Sequence, residues 1–152
     1  MKEIETEKIK RLQLIKETFQ DVMPVNKMLG IIIEKLEEGY AEVRVPFQKK
    51  FIGDFKRGLW HGGILASVAD TAGGLVAFSL ARAGDQVNTV DMRIDYLHGA
   101  LESDLYCEAS LVKTGNRIIL ADVKLFQNHQ KEPVAVARCA YSIKRNGIEK
   151  SS

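Results

Sequence analysis

Residues 57–74 read RGLWHGGILASVADTAGG and bring a histidine, two glycines and one carboxylate, His61, Gly62, Gly63 and Asp70, within ten positions. From Ile64 to Leu80 Asp70 is the only charged side chain, and Ser67, Thr71 and Ser79 are the other polar ones. A helix apolar on every side is a buried helix, and an ionised carboxylate inside it costs several kcal/mol unless it is paired or hydrogen-bonded. Such an acid is kept where a loop backbone or a distant arginine satisfies it, or where it serves as general base or nucleophile. Gly62 and Gly63 stand where this helix begins. The first N–H groups of a helix lack internal partners and carry about half a positive charge. With no Cβ in the way, a carbonyl oxygen or a phosphate can reach them. That is what an oxyanion hole requires. At 1.5 Å per residue, Asp70 lies roughly 10 Å beyond Gly63 along the axis, too far for both to serve one carbon within one chain. Either the two features do different jobs, or a second copy brings its Asp70 to these glycines. The second option agrees with a helix too apolar for one sheet to cover.

The rest of the chain must position that helix. Residues 4–23 carry Ile9, Leu12, Ile15, Phe19 and Val22 at helical spacing, and Pro24 stops the pattern. This helix balances acids and bases on its polar face, which favours packing on the domain or a partner subunit over a membrane surface. MLGIIIEKL and the alternating Tyr40–Pro46 read as strands joined by a turn at Glu38-Gly39, followed by an irregular loop over 47–60. After the helix, Val90, Met92, Ile94 and Tyr96 oppose Thr89, Asp91, Arg93 and Asp95 in a regular alternation. Leu105–Leu111, IILADVKLF and Val134–Ile143 follow with short turns between them, so pairing is antiparallel and the class is α+β. The domain organisation read from this is an N-terminal amphipathic helix over 1–25 and one domain over 26–147.

The 152 residues, 45% hydrophobic and 28% charged, suit a single soluble domain. A net charge of +2 lacks the concentrated basic patch of a nucleic-acid binder. The charged N-terminus has no secretory h-region, and no apolar stretch is expected to reach the roughly 18 residues that span a bilayer. Cys107 and Cys139 fall in strand-like segments and read as small buried hydrophobes, with a reducing cytoplasm as the default compartment. His61, His98 and His129 are too scattered for a metal site, and His129 reads as a hairpin-turn residue. There is no G-x-S-x-G elbow and no G-x-x-x-x-G-K loop.

HGGILASVADTAGG resembles the HGG-x6-D-x-A-x-G signature of hotdog-fold acyl-CoA thioesterases, in the group similar to phenylacetyl-CoA thioesterase. FIGDFKRGLWHGG is similar to the family's loop before the helix, TVDMRIDYLHGA to its third strand, and KTGNR to the turn after its fourth. The resemblance covers about residues 28–143. It implies a hotdog fold, a long central helix wrapped by an antiparallel sheet, here with an extra N-terminal helix. It also implies homodimers, often paired into homotetramers, with active sites across the dimer interface. By position, the N–H of Gly63 would polarise the thioester carbonyl, with Gly62 shaping the turn. Asp70 of the other subunit would be general base or nucleophile. Thr89 matches a hydroxyl that helps hold the attacking water, and His61 would orient the loop and the thioester. Lys113, Gly115, Asn116 and Arg117, together with Tyr96 and His98, fall where relatives contact coenzyme A.

Two positions depart from the family pattern. Asp54 stands where many relatives have an asparagine that helps position the carbonyl or water, and a carboxylate donates only when protonated. Were Asp54 and Asp70 to face one site, they would resist being ionised together. YLHGA replaces the usual YLRPA, giving His98 for an arginine. The expected activity is hydrolysis of an acyl-CoA, aryl or short to medium in chain, to the free acid and coenzyme A. No cofactor beyond the substrate's own coenzyme A, no metal, and no nucleic-acid or membrane partner is expected. The rival reading is a non-catalytic acyl-CoA-binding regulatory or sensor module, which Asp54 keeps open. Phe51, Phe55 and Trp60 either shape an acyl pocket or pack on the core.

Overall fold

A computed structural model describes residues 1–147. The alternating segments become β1 (Ile32–Glu37), β2 (Tyr40–Val45), β5 (Gln86–Tyr96), β6 (Leu105–Thr114), β7 (Ile118–Phe126) and β8 (Ala135–Lys144). They form one sheet in the order β1-β2-β6-β7-β8-β5, and every neighbouring pair is antiparallel. The segment read as an irregular loop holds a 3-10 turn (Lys49–Phe51) and a small hairpin of β3 (Ile52–Asp54) and β4 (Leu59–Trp60). The expected turn at Glu38-Gly39 is present, with Gly39 at φ 80°.

The central helix is α3 (Gly62–Ser79). Its length and hydropathy would let it cross a bilayer, which corrects the expectation that no stretch is long and apolar enough. More than half of it is buried in the fold, as the core helix of the domain. The sheet's inner face is built largely from small side chains, Ala41, Ala109, Ala121, Ala135 and Ala137 among them, so α3 lies close against it. Leu65, Val68, Ala69, Ala72, Leu75 and Val76 complete the contact from the helix side. This is the α+β hotdog arrangement, a helix wrapped by an antiparallel sheet.

The N-terminal helix is shorter than its hydrophobic spacing predicts. It runs as α1 (Lys2–Glu17), passes through a π-helical turn (Thr18–Val22), and gives way to α2 (Pro24–Leu29). Pro24 does not merely end a helix; it occupies the first turn of the next, where its missing N–H costs nothing. Both pieces are fastened to α3. Arg11 donates to the carbonyls of Ser79 (2.9 Å) and Ala81 (2.7 Å) and to Glu38 (2.7 Å). It thereby serves the orphan carbonyls that any helix C-terminus presents. The buried Asn26 donates to the carbonyl of Phe19 (3.0 Å) and accepts from Thr71 of α3 (3.3 Å).

β5 departs from strict alternation at one residue. Thr89 pairs with Tyr141 and Asp91 with Ala140, leaving Val90 in a bulge. The extra residue turns Thr89 to the same inner face as Tyr141, where regular alternation would have set it opposite Met92. β5 is also an edge, and among the described residues no strand pairs with its other side.

Gly73 and Gly74 each cost about 1 kcal/mol in a helix interior, and at Gly73 the structure shows what the missing side chain makes room for, Tyr141 of the same chain. A Cβ at Gly73 would collide with the Tyr141 hydroxyl, whereas one at Gly74 would meet Tyr141 at 3.8 Å and Phe19 at 3.9 Å, ordinary contact. Gly73→Ala is therefore expected to lower stability by about 1–3 kcal/mol through overpacking. Gly74→Ala should raise it by up to ~1 kcal/mol through helix propensity. Paired thermal melts check the opposite signs.

Candidate active site

Asp70 projects from α3 toward β5 and β8. Its Oδ1 accepts from Thr89 Oγ1 at 2.8 Å and from the Tyr141 hydroxyl at 3.2 Å. The same hydroxyl has one proton to give and lies closer to the Asp70 main-chain carbonyl, at 2.7 Å, so the two oxygens share it. Burial and the neighbouring Cys139 and Asp70 push the Tyr141 hydroxyl far up from its ordinary value, so it stays a proton donor. Asp70 is only partly buried in the single chain, which corrects the inference of a deeply buried charge. The sheet leaves that side of α3 uncovered. No ion pair to Asp70 is present among the described residues, so the carboxylate is held by hydroxyls and keeps its charge available.

Two turns earlier, α3 begins. His61 is its N-cap, and His61 Nδ1 accepts from the N–H of Gly63 at 2.9 Å. An accepting Nδ1 fixes the neutral ring with its proton on Nε2. The N–H groups of Ile64 (3.0 Å) and Leu65 (3.3 Å) turn back to the His61 carbonyl. That leaves the N–H of Gly62 as the first-turn donor with no acceptor among the described residues. The open donor is thus one residue earlier than the one the resemblance proposes. Tyr96 fixes it in place, its hydroxyl donating to the Gly62 carbonyl at 2.7 Å. The His61 N–H donates to Phe51 at 2.8 Å, and Gly53 packs so closely on His61 that a Cβ there would lie 2.7 Å from its Cα. The β3–β4 hairpin is the brace that sets the histidine.

The structure therefore gathers the expected site residues into separate groups. Thr89 is with Asp70; His61, Gly62, Gly63 and Tyr96 are together at the helix start. Within one chain the two groups are separated by two turns of helix. A profile of the Thioesterase superfamily matches residues 57–134, just over half of the chain, and spans both groups. The chain belongs to the thioesterase superfamily.

Individual relatives agree. The chain is 29% identical over 145 residues to the medium/long-chain acyl-CoA thioesterase YigI of Salmonella typhimurium, covering 87% of this chain and 93% of that one. The YigI protein of Escherichia coli K12 matches to the same extent. Among solved structures, a thioesterase family protein from Silicibacter pomeroyi superposes with a TM-score of 0.80 at 26% identity, covering 88% of this chain and 98% of that one. A protein related to the thioesterase superfamily from Shewanella oneidensis reaches a TM-score of 0.82 at 25% identity, covering 90% and 97%. Superfamily membership makes the chain a thioester hydrolase.

The remaining expected site residues lie elsewhere. Gly115, Asn116 and Arg117 form the β6–β7 turn and, with Lys113 near the end of β6, line a groove with Ile118 and Leu120. Sequence reasoning missed the cations that extend this surface, Arg82 and Lys144, which share an adjoining groove with Arg117 and come from distant segments. His98 pairs with Glu132 at 3.1 Å in a separate loop. Tyr141 was also missed, since nothing near it in the chain hints at Asp70, seventy-one positions away.

Asp54, the departure from the family pattern, is occupied by its own hairpin. Its Oδ1 accepts from the N–H groups of Lys56 (3.1 Å) and Arg57 (3.0 Å), and Oδ2 accepts from Arg57 Nε (2.7 Å). The Arg57 N–H and then its guanidinium hold the Asp54 carboxyl below the usual carboxylate range. The folded turn thus favours the ionised form, so its contribution persists above the unfolded value and is lost as pH falls through the lowered one. The Lys56 and Arg57 amide proton shifts are expected to titrate with a midpoint below roughly 3.9, the ordinary aspartate value. An NMR titration measures it.

Proposed function

We propose that the protein hydrolyses acyl-CoA thioesters to the free acid and coenzyme A, at a site that two copies of the chain build together. One observation carries this reading. The two halves of the site are tied by hydroxyls to opposite ends of one unpaired edge strand, Asp70 through Thr89 and Gly62 through Tyr96. A two-fold axis through the middle of β5, near Met92 and Arg93, would lay β5 antiparallel to its copy and bring Thr89 of one chain opposite Tyr96 of the other. Each Asp70 would then face the other chain's Gly62. Pairing would also cover a strand of eleven residues, which is an aggregation hazard when left open.

In this site the thioester carbonyl lies against the start of α3, where the Gly62 N–H and the helix's terminal charge stabilise the tetrahedral oxyanion. Loss of one such donor costs about 2.7–4 kcal/mol in other enzymes. Asp70 from the second copy either takes a proton from the attacking water or attacks the carbon itself, forming a mixed anhydride that water then cleaves. In both routes coenzyme A leaves as the thiol. His61 sets the helix start, Thr89 steadies the carboxylate, and Lys113 and Arg117, with Arg82 and Lys144 beside them, supply positive charge for the coenzyme's phosphates. The YigI relatives support a medium or longer acyl chain, where the sequence alone pointed to aryl or short to medium groups. Phe51 and Trp60 agree with that, because they pack on one another at 5.1 Å in the core instead of lining an aryl pocket.

Thiol release from a panel of acyl-CoAs tests the activity, and binding without release would favour the sensor reading. Asp70→Asn is expected to lower kcat by roughly 10²–10⁴-fold while ligand binding stays largely intact. Wild-type turnover in a folded variant refutes the assignment. A single turnover in heavy-oxygen water separates the two routes, because only the anhydride leaves label in Asp70. The shared site makes its own prediction. Gly62→Pro removes the open N–H at a position where proline fits a helix start. It should be inactive alone, as should Asp70→Asn. Co-expressed chains should recover about one quarter of wild-type activity, since half the dimers are mixed and each holds one intact site.

A further inference from the structure

Tyr141 touches the proposed reactive carboxylate from a strand that lies outside the sequence signature. It stands on β8, directly across from Thr89 in the register, and is only 2% exposed. The hydroxyl reaches two oxygens of one residue, the main-chain carbonyl of Asp70 at 2.7 Å and its Oδ1 at 3.2 Å. Thr89 donates to that same Oδ1 at 2.8 Å. Thr89, and Tyr141 through the one proton it shares with the main-chain carbonyl, thus converge on one carboxylate oxygen, and Oδ2 carries no hydrogen bond within the described chain. The helix makes room for this arrangement at Gly73, the residue whose Cβ would strike the hydroxyl. A glycine costs about 1 kcal/mol at an interior helix position, so the close approach is kept against helix propensity.

We propose that Tyr141 is a positioning residue for the reaction, which with Thr89 anchors Oδ1 of Asp70 and leaves Oδ2 as the oxygen that meets water or the thioester carbon. The inference rests on the reading of Asp70 as base or nucleophile. Two donors at Oδ1 stop the carboxylate from turning about its terminal bond, so Oδ2 keeps one direction. The bond to the main-chain carbonyl joins that direction to the helix itself, and a shift of α3 relative to β8 would misaim the oxygen. A displacement of about 1 Å at a reacting group can cost 10²-fold in rate. No substrate contact is required of Tyr141, and its effect belongs on kcat.

Tyr141→Phe keeps the ring beside Gly73 and removes only the hydroxyl. The expected result is a fall in kcat of about 10-fold or more with KM within twofold of wild type, in a dimer of normal secondary structure. Thr89→Val is expected to do the same. The double variant should lose less than the product of the two single losses, because both donors act on one oxygen. A Tyr141→Phe enzyme with kcat within twofold of wild type overturns the proposal, as does a loss confined to KM or a strictly multiplicative double variant. Asp70→Asn, assayed alongside, separates the two failures. A dead Asp70→Asn with a fully active Tyr141→Phe sinks only the positioning role, whereas an active Asp70→Asn sinks the underlying mechanism. If the phenylalanine variant does not fold, 3,5-difluorotyrosine at 141 preserves shape while strengthening the donor. A change in kcat at constant KM then supports the proposal, and an unchanged kcat overturns it.

Discussion

An acid can ride on an almost wholly apolar helix here because hydroxyl groups, and no opposing charge, hold it. Thr89 and Tyr141 bond the carboxylate of Asp70 from two strands that are neighbours in the sheet. A guanidinium in their place would have satisfied the acid more strongly and neutralised it in the process. Hydroxyls fix direction without adding a charge. The rest of the core follows from letting α3 approach the strands that carry these two groups. The inner face of the sheet is rich in alanine, and the helix gives up its side chain at Gly73 where the tyrosine enters.

The start of the same helix shows a comparable division of labour. His61 takes the N–H of Gly63, its carbonyl takes those of Ile64 and Leu65, and Gly62 keeps a donor with no acceptor among the described residues. Capping a helix usually satisfies its exposed amides. In this case the cap is selective, and the β3–β4 hairpin holds the capping ring through Gly53 and Phe51. At the opposite end, Arg11 closes the helix with the carbonyls of Ser79 and Ala81, so α1 acts as a terminal clasp on the element that carries the chemistry.

Much of this was legible in the sequence, and the exceptions have physical causes. Composition alone marked α3 as a helix to be buried, because seventeen residues carry one charge. Period-two patterns marked β2, β6, β7 and β8, whose inner faces are packed against it. The helix α2 has six residues, too few for a periodic signal, although Pro24 at its first position and Gly30 after it, in a left-handed conformation, are local signs of its ends. The strands β3 and β4 are shorter still. The exposure of Asp70 was misjudged because composition reports how apolar a helix is and not which side its sheet leaves open. The role of His61 as cap could have been read locally. That of Tyr141 could not, since its contact with Asp70 exists only once β8 has been placed beside β5.

The bulge at Val90 sets a rule of parity for β5. One surplus residue makes the two halves of the strand point their side chains out of phase, so the hydroxyl that meets Asp70 and the one that meets Gly62 both face the helix. Without the bulge, an unbroken alternation over the seven positions from Thr89 to Tyr96 would turn one of them to the outside. Chains of this kind can therefore carry every chemical group of the site in the right order and still lack the site, if that odd spacing runs through a strand with no bulge.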